Sequence, residues 1–340
     1  MKNLIIILSL ISGFALADDT YYVDGANGSD SNNGSSAAAF KSLSKATSTA
    51  TSGDTIIVKA GTYKGSSNRN ISISGKRLVI KSQDGAASTI FDAEGESRHL
   101  SIYYADTTFK LIGFTFKNGS HSGDGGSIYS RSTNYAWGPV IESCVFDSNQ
   151  TTSNYGRGGA IFANGQIMLR DVEFNHNHSK YYGGALYVYG YQAAGDTTKT
   201  VIERTKFYGN YINSGSSSSA YGGAAYINAN YNMNHCTFDS NMIKMDEGYN
   251  YGGALYSNGD NITLSVNTFT DTSITIQNTV FKQNKIIKGS DGGYAYGGAV
   301  AAAGYRKTIF ENCLFINNEA NGATYTDSYN ETRNANGYGG

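Results

Sequence analysis

Short apolar stretches with partial alternation recur along this chain, and clusters of Gly, Asn, Asp and Ser separate them. Residues 141–146, 167–174, 201–207 and 309–315 are rich in β-branched and aromatic side chains, the pattern of strands. Beyond residue 60 no stretch carries helix signals. Phe followed three positions later by Asn stands at Phe146/Asn149, Phe174/Asn177, Phe207/Asn210, Phe238/Asn241, Phe281/Asn284 and Phe315/Asn318, with Phe116-Lys117-Asn118 as a shortened first copy. These repeat Phe residues lie 28 to 43 positions apart. Gly-Gly pairs alternate with them at Gly125-Gly126, Gly158-Gly159, Gly183-Gly184, Gly222-Gly223, Gly252-Gly253 and Gly297-Gly298, and Gly339-Gly340 would open another copy.

About seven copies of a repeat near 30 residues long, made of short strands and turns, describe a solenoid. The expected fold is all-β, a right-handed parallel β-helix with about three strands per coil and coils stacked about 4.8 Å apart. In such a coil the repeat Phe points inward and stacks on the Phe of the next coil. The Asn sits at a turn, where its amide can bond the Asn above and below. Gly-Gly supplies turn dihedrals that other residues resist. After the glycines, Ile128, Ile161, Leu186, Ala225, Leu255 and Val300 make an inward apolar column. Cys144, Cys236 and Cys313 each precede a repeat Phe by two positions, the slot held by Thr205 and Thr279 in other copies. At three coils apart, Cys144 and Cys236 are separated by about 14 Å, too far for a disulfide. Three buried free thiols are expected.

The chain before residue 100 differs. Tyr21-Tyr22-Val23 reads as a strand, then Phe40, Leu43, Ala46 and Ala50 trace one face of a short helix, and 55–58 begins the next strand. This helix is the expected plug over the first coil, since an open solenoid end exposes unpaired strands. No equivalent cap pattern follows the last repeat, so a fragment or an exposed edge is expected there. The division is 1–17 leader, 18–100 cap and first coils, 101–340 repeats.

Residues 1–17 have a basic start at Lys2, an apolar run from Leu4 to Ile11 and the small-residue site Ala15-Leu16-Ala17, the pattern of a secretory signal peptide. Secretion to the medium or cell surface is expected, with no membrane helix in the remainder. The charges balance to −1, which excludes nucleic acid as a partner and supplies no field to steer acidic polymers. Forty-two Gly stand against one Pro, and 27 Tyr against one Trp.

The interleaved Gly-Gly-Ala and Phe-x-x-Asn motifs, over residues 114–340, resemble the repeat of the chlamydial polymorphic outer-membrane proteins. The resemblance implies a surface β-helix associated with adhesion. The cap residues Tyr22-Val23-Asp24, Gly28-Ser29-Asp30, Phe40-Lys41-Ser42-Leu43, Gly53-Asp54-Thr55-Ile56 and Ala60-Gly61-Thr62-Tyr63 resemble the start of parallel β-helix proteins that include pectate and chondroitin lyases. That second resemblance implies the fold and is shared by enzymes and non-enzymes.

Catalytic candidates are sparse, and no catalytic residue is assigned. Glycosidases need paired carboxylates and calcium-dependent lyases need several. Asp147 and Asp239 follow a repeat Phe, but Asn175, Tyr208, Lys282 and Ile316 fill that slot elsewhere. Glu142, Glu173 and Glu203 are the best acidic group. Asp24, Asp30 and Asp54 in the cap could hold a structural calcium, or bond their own turns; no other cofactor is expected. His176 and His178 flank Asn177 without a third ligand. The outward candidates are aromatic: Tyr129, Phe162, Tyr187, Tyr226 and Tyr256 follow the inward column by one position, and Tyr182, Tyr221, Tyr251, Tyr296 and Tyr338 precede the glycine pairs. Exposed rings stacked at coil spacing would bind sugar rings or a protein, or simply shield the backbone. Eight Asn-x-Ser/Thr sites occur, at Asn27, Asn33, Asn70, Asn118, Asn149, Asn177, Asn261 and Asn330; the ladder should protect Asn118, Asn149 and Asn177. The expected function is adhesion or structure without catalysis, through an extracellular glycan or a host or neighbour cell-surface protein. The alternative is a polysaccharide lyase or glycoside hydrolase on the same scaffold.

Overall fold

The computed structural model describes residues 18–321 apart from 133–136, 191–198, 215–218, 246–247, 260–272, 289–293 and 305–306, together with the short strands Thr324–Thr326, Thr332–Asn334 and Gly337–Tyr338. The leader, Asn261, Asn330 and Gly339-Gly340 lie outside the described residues.

Four long sheets stack coil upon coil, and every pairing in them is parallel. They hold ten strands from Thr20–Val23 to Thr308–Glu311, nine from Gly61–Tyr63 to Leu314–Ile316, seven from Ser120–His121 to Glu319–Asn321, and eight from Ile71–Ser74 to Val300–Ala303. Successive strands of each sheet come from successive repeats, which makes the chain a right-handed parallel β-helix. One coil runs through Trp137–Glu142, Val145–Asp147, Gln150–Thr151 and Ile161–Asn164. That is four short strands instead of about three, because the stretch 141–146 is not one strand. It bends at Ser143, whose φ is +51°. Asp171, Arg204, His235, Asn278 and Asn312 make the same bend in later coils. Such a dihedral costs a non-glycine residue about 1–2 kcal/mol. The bends from Ser143 to Asn278 are each held by an inter-coil backbone hydrogen bond, as from the Ser143 N–H to the Arg170 carbonyl at 2.9 Å.

The repeat Phe residues form one internal stack. Centroids from Phe116 through Phe146, Phe174, Phe207, Phe238 and Phe281 to Phe315 are 4.5 to 5.4 Å apart with nearly parallel planes. Beside it runs the amide ladder: Nδ2 of Asn149, Asn177, Asn210, Asn241 and Asn284 donates to Oδ1 of the next Asn at 2.8 to 3.0 Å, ending on Asn318. Phe116 pairs with Phe146 in register, so Gly119, not Asn118, lies opposite Asn149. The first copy is therefore full length with glycine in the ladder slot. Asn118 is off the ladder, half-buried, and bonds Asp92 at 2.9 Å.

The two glycines of each pair have different jobs. The first takes φ between +59° and +69° in all six copies. The second does not; a Cβ on Gly159, Gly184, Gly223 or Gly253 would lie under 3.0 Å from the backbone carbonyl of the next coil's second glycine. The six-member column from Ile128 to Val300 points inward, fully buried through Leu255. Helix Leu43–Thr49, capped by Ser42 accepting from the Lys45 N–H at 3.2 Å, covers the first coil with Phe40, Leu43, Ala46 and Ala50 buried beneath it. The three cysteines are free; Cys144 and Cys236 are buried three coils apart, while Cys313 is only half-buried.

Candidate functional site: an outer aromatic face

The five-ring column lies outside the coil, as alternation requires, but it is not an exposed platform. Ring centroids from Tyr129 through Phe162, Tyr187 and Tyr226 to Tyr256 are 4.8 to 5.2 Å apart. Phe162, Tyr187 and Tyr226 retain 3%, 4% and 8% of their surface. The rings spend their faces on one another, and a second layer covers them. The Arg98 guanidinium lies over Tyr129 at 5.2 Å, and that of Arg157 over Phe162 and Tyr187 at 4.8 and 5.0 Å. Tyr182 stacks on Tyr226 at 5.0 Å and Tyr221 meets Tyr256 edge-on at 4.8 Å. The expectation of exposed binding rings at Phe162, Tyr187 and Tyr226 is thus corrected: alternation sets which side of a strand a ring leaves, not what folds over it.

Arg157 reaches this position through Asp124, one coil away, by Nε to Oδ1 at 3.0 Å and Nη2 to Oδ2 at 2.6 Å. Burial works against its charge, but the bidentate carboxylate more than offsets that and raises its pKa. Arg98 donates to Nδ1 of His121 at 2.6 Å and to the Asp124 carbonyl at 2.9 Å. Burial, then the Arg98 charge, lowers the His121 pKa, so the ring accepts this bond as neutral imidazole. Burial raises the phenol pKa of Tyr182, Tyr187, Tyr221 and Tyr251, keeping these hydroxyls protonated.

The solvent-facing rings belong to the next layer. Strands Ala220–Tyr221, Tyr249–Tyr251 and Tyr294–Tyr296 pair in parallel and form a fifth, outer sheet. Their tyrosines rise in two files. Tyr221, Tyr251 and Tyr296 stack at 5.0 and 4.9 Å. Tyr249 and Tyr294 stack at 5.1 Å and keep 47% and 38% of their surface. Sequence reading missed Tyr249 and Tyr294, although Tyr-x-Tyr-Gly-Gly occurs at both 249–253 and 294–298. Arg98, Asp124 and Arg157 occupy no recurring slot, so no pattern could have flagged them. Tyr338 pairs in register with Tyr296 at the backbone.

The acidic candidates do not converge. Glu142 and Glu203 lie on one sheet with Arg170 between them, at 3.4 and 3.2 Å. Glu173 is on another sheet, paired to Lys206 at 2.8 Å. Asp147 and Asp239 share an outward column, three coils apart, and Lys282 binds Asp239 at 3.1 Å. Asp24, Asp30 and Asp54 each accept from N–H groups of separate turns. His176 is exposed against Tyr208, while His178 is half-buried and stacks on Tyr211 at 4.4 Å. Among the described residues no three His, Cys, Asp or Glu side chains gather as a metal site. Nor is any helix among them long and apolar enough to cross a membrane.

Fold and site together define a parallel β-helix carrying an outer tyrosine face. Residues 26–102 match a family described as a protein of unknown function, DUF1565. A stretch of 133 residues, 37% of this chain, is 32% identical to the probable autotransporter YfaL of Escherichia coli (strain K12). The match takes in 10% of that relative's length. Among solved structures, a rhamnogalacturonan lyase aligns over 94% of this chain and 80% of its own with 15% identity and a TM-score of 0.41. A PL6 family alginate lyase, AlyGC, aligns over 88% and 40% with 13% identity and a TM-score of 0.46. The pectate lyase Pel9A aligns over 87% and 78% with 14% identity and a TM-score of 0.38. Likeness of this degree carries no argument about chemistry.

Proposed function

We propose that this chain is a secreted or cell-surface adhesion module that binds an extracellular glycan through its tyrosine face and catalyses nothing. The observation that carries the reading is the outer tyrosine sheet: stacked rings, two of them exposed, on a scaffold cross-bonded at every coil. Tyrosine presents a large amphipathic surface at a low cost in conformational entropy, which suits recognition. The autotransporter relative and the leader pattern of residues 1–17 support an extracellular setting. Against an enzyme stands the arrangement of the acidic candidates: Glu142 and Glu203 are held by Arg170 on one sheet, while Glu173 lies on another, paired to Lys206.

The test is a glycan array probed with the purified protein, followed by assay of every bound polysaccharide for new reducing ends or unsaturated uronate. Binding without cleavage, weakened in Tyr251→Ala and Tyr294→Ala, is the expected result. Cleavage of any polymer would replace this reading with the lyase or hydrolase one. Retained binding in both variants would move the site off this face.

A further inference from the structure

Resting on the glycan reading above, we propose that the ligand is a neutral, extended chain of equatorially linked pyranoses, such as a β-1,4-glucan, lying parallel to the solenoid axis with one sugar per coil. Three observations carry this. The first is spacing. Tyr182, Tyr221, Tyr251 and Tyr296 occupy the same register on four successive coils, and their ring centroids lie 4.9, 5.0 and 4.9 Å apart, Tyr182 meeting Tyr221 edge-on and the other two pairs stacked. An equatorially linked pyranose in an extended chain advances by close to one such step, and although successive sugars are turned over, each still presents an edge hydroxyl to the file at every coil. An axially linked chain curls out of phase.

The second is ring orientation. Tyr221, Tyr251 and Tyr296 are within 11° of parallel to their neighbours, as are Tyr249 and Tyr294. Faces stacked on each other are not open to a sugar. Side chains stand out from a sheet, so it is ring edges that face outward, most fully at Tyr249 and Tyr294, which keep 47% and 38% of their surface. A phenol oxygen both donates and accepts, so a file of them at coil spacing matches a file of sugar hydroxyls. Recognition by hydroxyls instead of ring faces departs from sugar stacking.

The third is charge. The strands Ala220–Tyr221, Tyr249–Tyr251 and Tyr294–Tyr296 contain only Ala, Asn and Tyr. Burial holds the Tyr182, Tyr221 and Tyr251 phenols neutral. The cations beside this file are already engaged, Arg157 by the Asp124 carboxylate and Lys288 by the Gly248 carbonyl, so an acidic polymer laid here would lose hydration and have to compete for them, whereas a neutral one would not.

The experiment is calorimetric titration of the protein with the series from glucose to cellohexaose, with maltohexaose and a galacturonate hexamer as comparators. Affinity should climb with each added sugar and level off at about four, with both comparators weaker by at least tenfold. Tyr221→Phe, Tyr251→Phe and Tyr294→Phe keep the stacked rings and should each lower cellohexaose affinity about 2- to 10-fold, the worth of one hydrogen bond. Thermal melts of each variant would establish that it folds. Glucose binding as well as cellohexaose would overturn the lengthwise register while leaving glycan binding intact. Preference for galacturonate would overturn the neutral ligand, and unchanged affinity in all three Phe variants would overturn recognition by phenol oxygens. If the glycan array shows no ligand at all, both this inference and the function it rests on fall.

Discussion

Asn210→Ala is the most severe test of the ladder. The Asn210 amide uses all its hydrogen-bonding capacity while fully buried. Its Oδ1 accepts the backbone N–H and the Nδ2–H of Asn177, both at 2.9 Å, and its Nδ2 donates to the Phe174 carbonyl at 2.9 Å and to Asn241 Oδ1 at 3.0 Å. Truncation leaves two Asn177 donors without these acceptors. Asn241 Oδ1 still receives the Asn210 N–H at 3.0 Å, so it is only partly deprived. At about 1–3 kcal/mol per stranded buried donor, the two Asn177 groups alone cost about 2–6 kcal/mol, and we expect about 4. Asn318→Ala is the control: Asn318 accepts two bonds of the same kind but is half-buried, so water can replace it and the cost should be about 1 kcal/mol. A solenoid need not unfold in one step, so the measurement is native-state hydrogen exchange of the Asn177 amide, backed by urea melts. An Asn177 opening free energy within 1 kcal/mol of wild type would refute the claim that the ladder locks the coils.

Three further outcomes are expected. Gly184→Ala should destabilise by about 3 kcal/mol in urea, because its Cβ meets the Gly223 carbonyl and the Tyr211 backbone, though Gly184 itself needs no positive φ. Acid should weaken the fold through His99 and His178, each pushed down to about 4 by burial. The unfolded chain takes up these protons near 6.5, so stability is fully present above that pH and falls as pH drops toward 4; we expect about 2 kcal/mol lost per histidine by pH 5, and a flatter profile in a His99→Gln variant. Burial pushes the Cys144 and Cys236 thiols up to about 12, so a thiol reagent at neutral pH should label only Cys313 in the folded protein and all three in urea.

Much of this architecture is legible in the chain alone. Phe-x-x-Asn and Gly-Gly recur because stacking places each copy in the environment of the last, so the requirement at one coil is repeated at the next. That is why the Phe stack, the Asn ladder, the inward column and the capping helix can be read without coordinates. The bends at Ser143, Asp171 and Arg204 left no such mark, since left-handed backbone there is imposed by inter-coil hydrogen bonds and tolerated by unlike side chains. The outer face was half legible. Alternation put Tyr129 through Tyr256 outside the coil, but their burial depends on Arg98, Arg157, Tyr182 and Tyr221, which arrive from other turns of the chain. Likewise Glu142 and Glu203 are neighbours of Arg170 only through parallel pairing across repeats. The sequence by itself determined which residues face the core, because the period of a strand is local. Tertiary structure alone decided which outward residues meet solvent, because that depends on what each coil's loops lay over its neighbours.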